Sequence, residues 1–279
     1  MGIGEFITAS PWILGSLAFC LGLCIGSFLN VVIYRLPRQL KGQYRLECQQ
    51  FLGISAQPVE ALNLAWPRSF CPHCKAQLAW YDNIPLISFI LLRGHCRSCQ
   101  RPISWRYPLV EALTAILTAV IIVRLGANFT SYAFVLLTWA LIPVIFIDLE
   151  HEIIPDEIVL PLLWLGLLGN AVNLFVSPAA AVIGAASGYS SLYLVAFLFK
   201  LVRQRDGIGH GDFKLFALFG AWFGWEPLIN IILAASITGA IVGISLILFK
   251  KADFSRPLPF APYLVIAGWC ITIGSRLLC

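Results

Sequence analysis

Charge is scarce in this 279-residue chain: only 12% of the residues are Asp, Glu, Lys or Arg, while 59% are hydrophobic. The mean hydropathy is +0.84. That deficit excludes an ordinary soluble domain and fits a polytopic membrane protein. The formal net charge of +5 is therefore no sign of a nucleic-acid partner, and none is expected. What matters is where the positive charges fall relative to the apolar runs. Basic residues are absent from Met1 to Ser10, so the start lacks the charged region of a cleavable signal peptide. The first apolar run is expected to be retained. Solenoid-type repeats and low-complexity segments are also missing. Two enzyme signatures fail for want of one residue or one spacing. His151-Glu152 opens like a zincin motif, but the position that needs the second His is Pro155. Gly207-Ile208-Gly209 has neither the spacing nor the βαβ setting of a dinucleotide loop.

What is present is a series of apolar runs. Pro11 to Tyr34 has about the length a bilayer core requires, with Gly22, Gly26 and Ser27 forming a small-residue face suited to close helix packing. Further spans are expected over roughly 107–123, 130–147, 157–176, 179–199, 212–225, 228–249 and 258–278, giving about eight transmembrane helices in an all-α polytopic fold. Residues 1–35 are read as the first transmembrane helix, 36–106 as a small cytoplasmic zinc-ribbon-like insert, and 107–279 as the transmembrane core. Arg35, Arg38, Lys41 and Arg45 follow the first run at once. They place its exit in the cytoplasm and the N-terminus outside. In that topology, of the 19 Lys and Arg all but Arg124 and Arg276 fall in or near cytoplasmic segments, among them Arg203, Arg205, Lys250, Lys251 and Arg256.

The insert carries two Cys-x-x-Cys knuckles, Cys71-Pro72-His73-Cys74 and Cys96-Arg97-Ser98-Cys99, with 21 residues between them. Four thiolates in that arrangement suit a tetrahedral, structural zinc ion, although the gap slightly exceeds the usual zinc-ribbon range. Disulfides and a redox pair are the alternatives. A cytoplasmic location disfavours the first, and a single knuckle would suffice for the second. Four protein ligands close the shell, so this metal is expected to fold the insert rather than activate water. Cys20, Cys24, Cys48, Cys270 and Cys279 have no matching partners and read as packing residues.

Half of the 14 Asp and Glu fall in two hydrophilic breaks on one side of the membrane: Asp148, Glu150, Glu152, Asp156 and Glu157 in the first, Asp206 and Asp212 in the second. Asp148 ends the apolar run from Trp139, and Asp212 follows Gly207-Ile208-Gly209-His210-Gly211 and opens another. Two aspartates on two helices at one membrane face can meet across a cavity. Close carboxylates do not both ionise easily, so one holds a proton while the other activates water, which is aspartic-protease chemistry. The structural alternative is a pair of water-exposed helix caps. Asp212 to Trp225 spans only about 21 Å at 1.5 Å per residue, against a hydrocarbon core of about 30 Å. If Glu226 sits at the outer surface, Asp212 lies below the inner one and lines a polar cavity. His210 reads as a hydrogen-bonding spacer.

These residues carry a resemblance. Gly26-Ser27-Phe28-Leu29-Asn30-Val31-Val32-Ile33-Tyr34-Arg35-Leu36-Pro37, the paired Cys-x-x-Cys insert, Asp148 in its Asp-Leu-Glu-His context and Gly209-His210-Gly211-Asp212 together resemble the bacterial type IV prepilin peptidases. Nearly the whole chain is covered, and none of these positions departs from the pattern. The last motif is the Gly-x-Gly-Asp signature of a class of membrane aspartic proteases. The resemblance implies that Asp148 and Asp212 are the catalytic pair, supported by Gly209, Gly211 and Lys214, and that Cys71, Cys74, Cys96 and Cys99 bind structural zinc. It further implies a multi-pass enzyme of the bacterial inner membrane with its active site facing the cytoplasm. Such an enzyme cuts the basic leader from prepilins or pseudopilins after a glycine. It then methylates the new N-terminal residue with S-adenosylmethionine. Glu150, Glu152, Asp156 and Glu157 would attract a basic leader or simply form a solvated loop. The rival function is a secondary transporter with Asp148 and Asp212 as ion ligands, but the paired broken helices common in transporters are missing.

Overall fold

The computed structural model describes residues 11–54, 63–204, 207, 209–249 and 258–278, without the side chains of Pro11 and Leu278. Met1 to Ser10, Arg205, Asp206, Ile208, Lys250, Lys251, Arg256 and Cys279, invoked above, lie outside the described residues. The described chain is helical, with only two isolated β-bridges, and it divides into two compact units, Met1–Pro143 and Val144–Cys279.

The first unit is built on α1 (Pro11–Phe51) and α3 (Arg106–Leu125). Small residues let the two backbones touch. A Cβ on Gly22 would lie 2.6 Å from the Cα of Ala115, and one on Gly26 would lie 2.7 Å from the Cα of Glu111. Asn30 fixes the register by donating to the Tyr107 carbonyl at 3.0 Å. α1 does not stop where its apolar run ends: it continues through Pro37 to Phe51. Just past the apolar stretch, buried Arg35 donates to the carbonyls of Asn63 (2.7 Å) and Pro67 (2.6 Å), tying the cysteine insert to α1. The insert holds a 3-10 turn (Trp80–Asn83) and the short helix α2 (Ile87–Leu91). α4 (Phe129–His151) follows, with Trp139 Nε1 donating to Thr118 Oγ1 of α3 at 2.8 Å.

The second unit takes the end of α4 and adds α5 (Asp156–Ala171), α6 (Pro178–Arg203), α7 (His210–Phe223), α8 (Leu228–Leu248) and α9 (Ala261–Trp269). The chain closes through a π turn (Cys270–Gly274) into α10 (Ser275–Leu278). α7 is the axis of this unit. From Asp212 to Phe223 every residue except Lys214 is buried. Gly184 of α6 and Gly220 of α7 meet backbone to backbone, where a Cβ on Gly220 would lie 2.1 Å from the Gly184 carbonyl oxygen. Asn170 is fully buried and uses its whole amide. It donates to the carbonyls of Ala221 (2.8 Å) and Trp222 (3.0 Å) and accepts the Phe175 (2.9 Å) and Val176 (3.1 Å) amides. Such a satisfied buried network fixes the end of α5 against the end of α7.

Among the described residues, five helices are long and apolar enough to cross a membrane: α1, α3, α4, α6 and α8. The expected count of eight is not confirmed. α5 has 16 residues and α7 has 14, and the apolar stretch Ala261–Leu277 is also short. At 1.5 Å per residue, α7 reaches about 21 Å, well under a bilayer core.

Candidate functional site

Asp148 lies in the last turn of α4 and Asp212 in the first turn of α7, both in the second unit. α4 is capped by the next residue, Glu152, whose left-handed backbone (φ 55) sends its amide to the Asp148 carbonyl at 2.9 Å. Pro155 then serves as the N-cap of α5. Gly209 is the N-cap of α7, which makes Asp212 the third helical residue. From there its carboxylate reaches back to the Gly209 amide, half of a capping box. The Asp148 carboxylate accepts the amide of Ala261, the first residue of α9, and so faces the positive end of that helix.

Both aspartates are buried, Asp148 at 5% and Asp212 at 7% of full exposure. They are therefore not the water-exposed caps of the alternative reading. The charge of Asp148 acts directly on Asp212, so the chain brings together two carboxylates separated by more than sixty positions. Each keeps one buried oxygen, Asp148 Oδ2 and Asp212 Oδ1, that no described residue hydrogen-bonds. Buried carboxylate oxygens without protein partners are costly to folding, and a pair of them fits a site built to hold water or a substrate carbonyl.

The surrounding residues fix this geometry. A Cβ on Gly211 would lie 2.7 Å from the Cβ of Ile154, so only glycine lets the α4–α5 loop lie against the start of α7. A Cβ on Gly209 would lie 3.3 Å from Asp212 Oδ2. Lys214 bonds Asp156 Oδ2 at 2.6 Å, joining the first turns of α5 and α7. His210 packs edge-on against Phe213, which also meets Tyr189 and Tyr193. Sequence reasoning missed the Ala261 amide and the Lys214–Asp156 pair, because neither long-range contact has a local pattern. The acid–base pairing of Lys214 and Asp156 is the only residue-type hint of the second.

In the first unit, Cys71, Cys74, Cys96 and Cys99 have their sulfurs within 4.8 Å of one another, close enough to hold a metal ion. Cys71 and Cys99 are 3.9 Å apart at sulfur. The two knuckles repeat one geometry. Cys71 and Cys96 each receive the amide four residues on, from Lys75 and Gln100, at 2.9 Å. Both of those residues take positive φ (60 and 55), and each knuckle is closed by one β-bridge, Phe70 to Gln77 and His95 to Pro102. Amides of Cys99 and Ser98 directed at Cys96 hold its thiol down to about 7, while burial and the neighbouring thiols push Cys99 up to about 11.

Residues 20–125 match the bacterial peptidase A24 N-terminal domain, and residues 135–244 match the type IV leader peptidase family. The chain is 48% identical over 267 residues to the prepilin leader peptidase/N-methyltransferase of Aeromonas hydrophila, covering 95% of this chain and 92% of the relative. The chain belongs to the type IV leader peptidase family. Other leader peptidase relatives of the same description are similar across the same extent. That of Stutzerimonas stutzeri is 46% identical over 266 residues (95% and 92% of the two chains). That of Pseudomonas aeruginosa is 43% identical over 270 residues (96% and 93%). No solved structure matches the chain. The leader peptidase match begins before Asp148 and ends beyond Asp212, so both buried aspartates lie inside it.

Proposed function

We propose that this chain is a membrane-embedded aspartic endopeptidase that removes the leader from type IV prepilins or pseudopilins and then N-methylates the new N-terminal residue. The observation that carries the reading is the meeting of two buried aspartates from two helix ends, each with one oxygen left over for substrate. One of the pair is protonated and the other ionised. The ionised carboxylate takes a proton from water as that water attacks the scissile carbonyl carbon. The protonated one gives its proton to the carbonyl oxygen, forming a tetrahedral gem-diol. Collapse breaks the C–N bond, and the departing amine takes up a proton. The leader leaves as a carboxylic acid and the pilin with a free amine. Gly209 and Gly211 hold the loop that aims Asp212, and Lys214 anchors it through Asp156. The acidic residues Glu150, Glu152 and Glu157 attract the basic leader.

Methyl transfer requires S-adenosylmethionine, which supplies an electrophilic methyl group to that new amine. The described residues form no strand and so hold no Rossmann unit. The four cysteines fit zinc: tetrahedral Zn–S bonds of about 2.3 Å put neighbouring sulfurs about 3.8 Å apart, against 3.9 Å between Cys71 and Cys99. All four positions are protein thiolates, so the ion would fold the insert and take no part in hydrolysis. The basic residues flanking the spans support a location in the bacterial inner membrane with the aspartates facing the cytoplasm. The test is incubation of the purified protein in detergent with a prepilin and methyl-labelled S-adenosylmethionine. The expected products are a shortened pilin and label on its N-terminus. An unchanged prepilin would refute the proposal.

A further inference from the structure

The cysteine insert holds a segment that does not behave as part of a water-soluble module. Helix α2 starts after Leu86, a non-glycine residue with φ 57, and the Leu86 amide donates to Glu111 Oε2 of α3 at 2.9 Å. Glu111 is buried, also hydrogen-bonded by Ser27, and its Cα packs against Gly26 of α1. This carboxylate is thus an anchor between two spans, and it fixes the depth of α2. Glu111 lies five residues, about 7.5 Å, inside the start of α3. Gly26 lies nine residues, about 13 Å, inside the point where Arg35 ends the apolar run of α1. Leu86 is held at that level.

The outer face of α2 is apolar and uncovered. Ile90 is 71% and Leu91 76% exposed, and Trp105, at 77%, packs at a tilt against Phe89 with ring centroids 4.9 Å apart. The polar groups of the same segment are turned inward and paired. Ser88 is buried with its hydroxyl on the Tyr81 carbonyl (2.7 Å), and the amides of Ser88, Ile90, Leu92 and Gly94 bond Ile84, Leu86, Ser88 and Phe89. A chain segment with most of its amides paired, apolar on its outer face and tied to a membrane span suits the boundary between headgroups and acyl chains. Arg93, exposed at its far end, is placed to reach the headgroups.

We propose that Pro85–Leu92 is a re-entrant wedge of the insert, with Ile90 and Leu91 in contact with the acyl chains of the bilayer. The occupant is lipid, because Glu111 ties Leu86 to a membrane-spanning helix inside its apolar length and the exposed side chains of Ile90 and Leu91 carry no polar group. The wedge would hold the metal-bearing module against the membrane whatever reaction the second unit performs.

The experiment places a photo-crosslinking benzoylphenylalanine at Leu91, and separately at Arg97 as a control on the knuckle, in the full-length protein. The protein is reconstituted in nanodiscs of phosphatidylethanolamine and phosphatidylglycerol at 3:1. Mass spectrometry of the irradiated protein should give phospholipid adducts at position 91 at least fivefold above those at position 97. In parallel, an environment-sensitive fluorescent residue at position 90 should be quenched by acyl-brominated lipid and shielded from aqueous iodide. Equal lipid adducts at 91 and 97, or strong iodide quenching at 90, would overturn the proposal. So would crosslinks at 91 that go mainly to a second copy of the chain or to an added prepilin. Glu111→Leu, which removes the anchor, should raise iodide access at position 90 severalfold, and an unchanged access would refute the anchoring role.

Discussion

Replacing Gly211 with alanine tests whether the contact between the α4–α5 loop and α7 aims Asp212. Intrinsic propensity argues that the substitution is harmless, since alanine in place of a helical glycine stabilises by up to about 1 kcal/mol. The backbone of Gly211 is helical, so no conformational strain opposes it. The packing argues the reverse. The new methyl would lie 2.7 Å from Ile154 Cβ, 3.0 Å from its Cδ1 and 3.2 Å from its Cγ1. Carbon atoms pack at about 3.5–4.0 Å, so the loop and the helix must part by about 1 Å. Overpacking of this kind costs about 1–3 kcal/mol, which cancels or exceeds the propensity gain. The larger effect falls on catalysis, because a shift of about 1 Å in a reacting group costs about 100-fold. Cleavage of a prepilin by Gly211→Ala protein should therefore fall about 100-fold in kcat, with the melting temperature in detergent changed by a few degrees at most. Second-site changes sharpen the test. Ile154→Ala keeps the closest atom and should rescue little, whereas Ile154→Gly removes all three and should restore a large part of the rate. Wild-type kcat in Gly211→Ala, or equal rescue by both changes at Ile154, would refute the reasoning.

Further outcomes follow from other parts of the chain. Asn170→Ala strands two carbonyls and two amides in the core of the second unit, so it should lower stability by about 2–4 kcal/mol, read as a drop in melting temperature. Lys214→Met breaks an ion pair that is partly open to solvent, so stability should change by less than about 1 kcal/mol while cleavage falls through the looser start of α7. Chelation, or Cys71→Ser, should release about one zinc per chain and expose the insert to protease. Metal-free protein that stays folded should still cleave, and restoration of cleavage by zinc without any refolding would give the ion a catalytic role. Labelling of single cysteines placed at Glu150 and Arg203 should occur only from the cytoplasmic side, and reaction from outside would invert the orientation.

Much of the second unit is legible in the sequence because its signals are local. A carboxylate at one end of each of two apolar runs, glycines before one carboxylate and a proline after the other mark the helix ends on which Asp148 and Asp212 sit. The knuckle pairs are equally local, and the structure brings their four sulfurs together. Less legible is what depends on partners far along the chain. Nothing in the run before Asp148 points to the Ala261 amide, more than one hundred positions later. Glu111 reads as a stray charge in a span until Leu86 is seen against it. The expected count of eight spans is not confirmed by helix length. Hydropathy counts apolar runs such as that of α7, a helix of 14 residues that is also packed against α5, α6 and α9, so burial alone accounts for its apolar character. The first apolar run ends at Tyr34, yet α1 runs on through Pro37 to Phe51, since one proline removes a single backbone bond and the buried contacts of Leu36 and Leu40 offset it.

The dyad is tested most directly by the pair of isosteric changes Asp148→Asn and Asp212→Asn, assayed side by side for prepilin cleavage in proteoliposomes. Asparagine keeps the size of the side chain and can still accept the Ala261 or Gly209 amide, but it takes up no proton from water. Each variant should insert and melt like the parent protein and show no cleavage above background. Cleavage surviving in either variant, at more than about one hundredth of the parent rate, would contradict the two-aspartate mechanism.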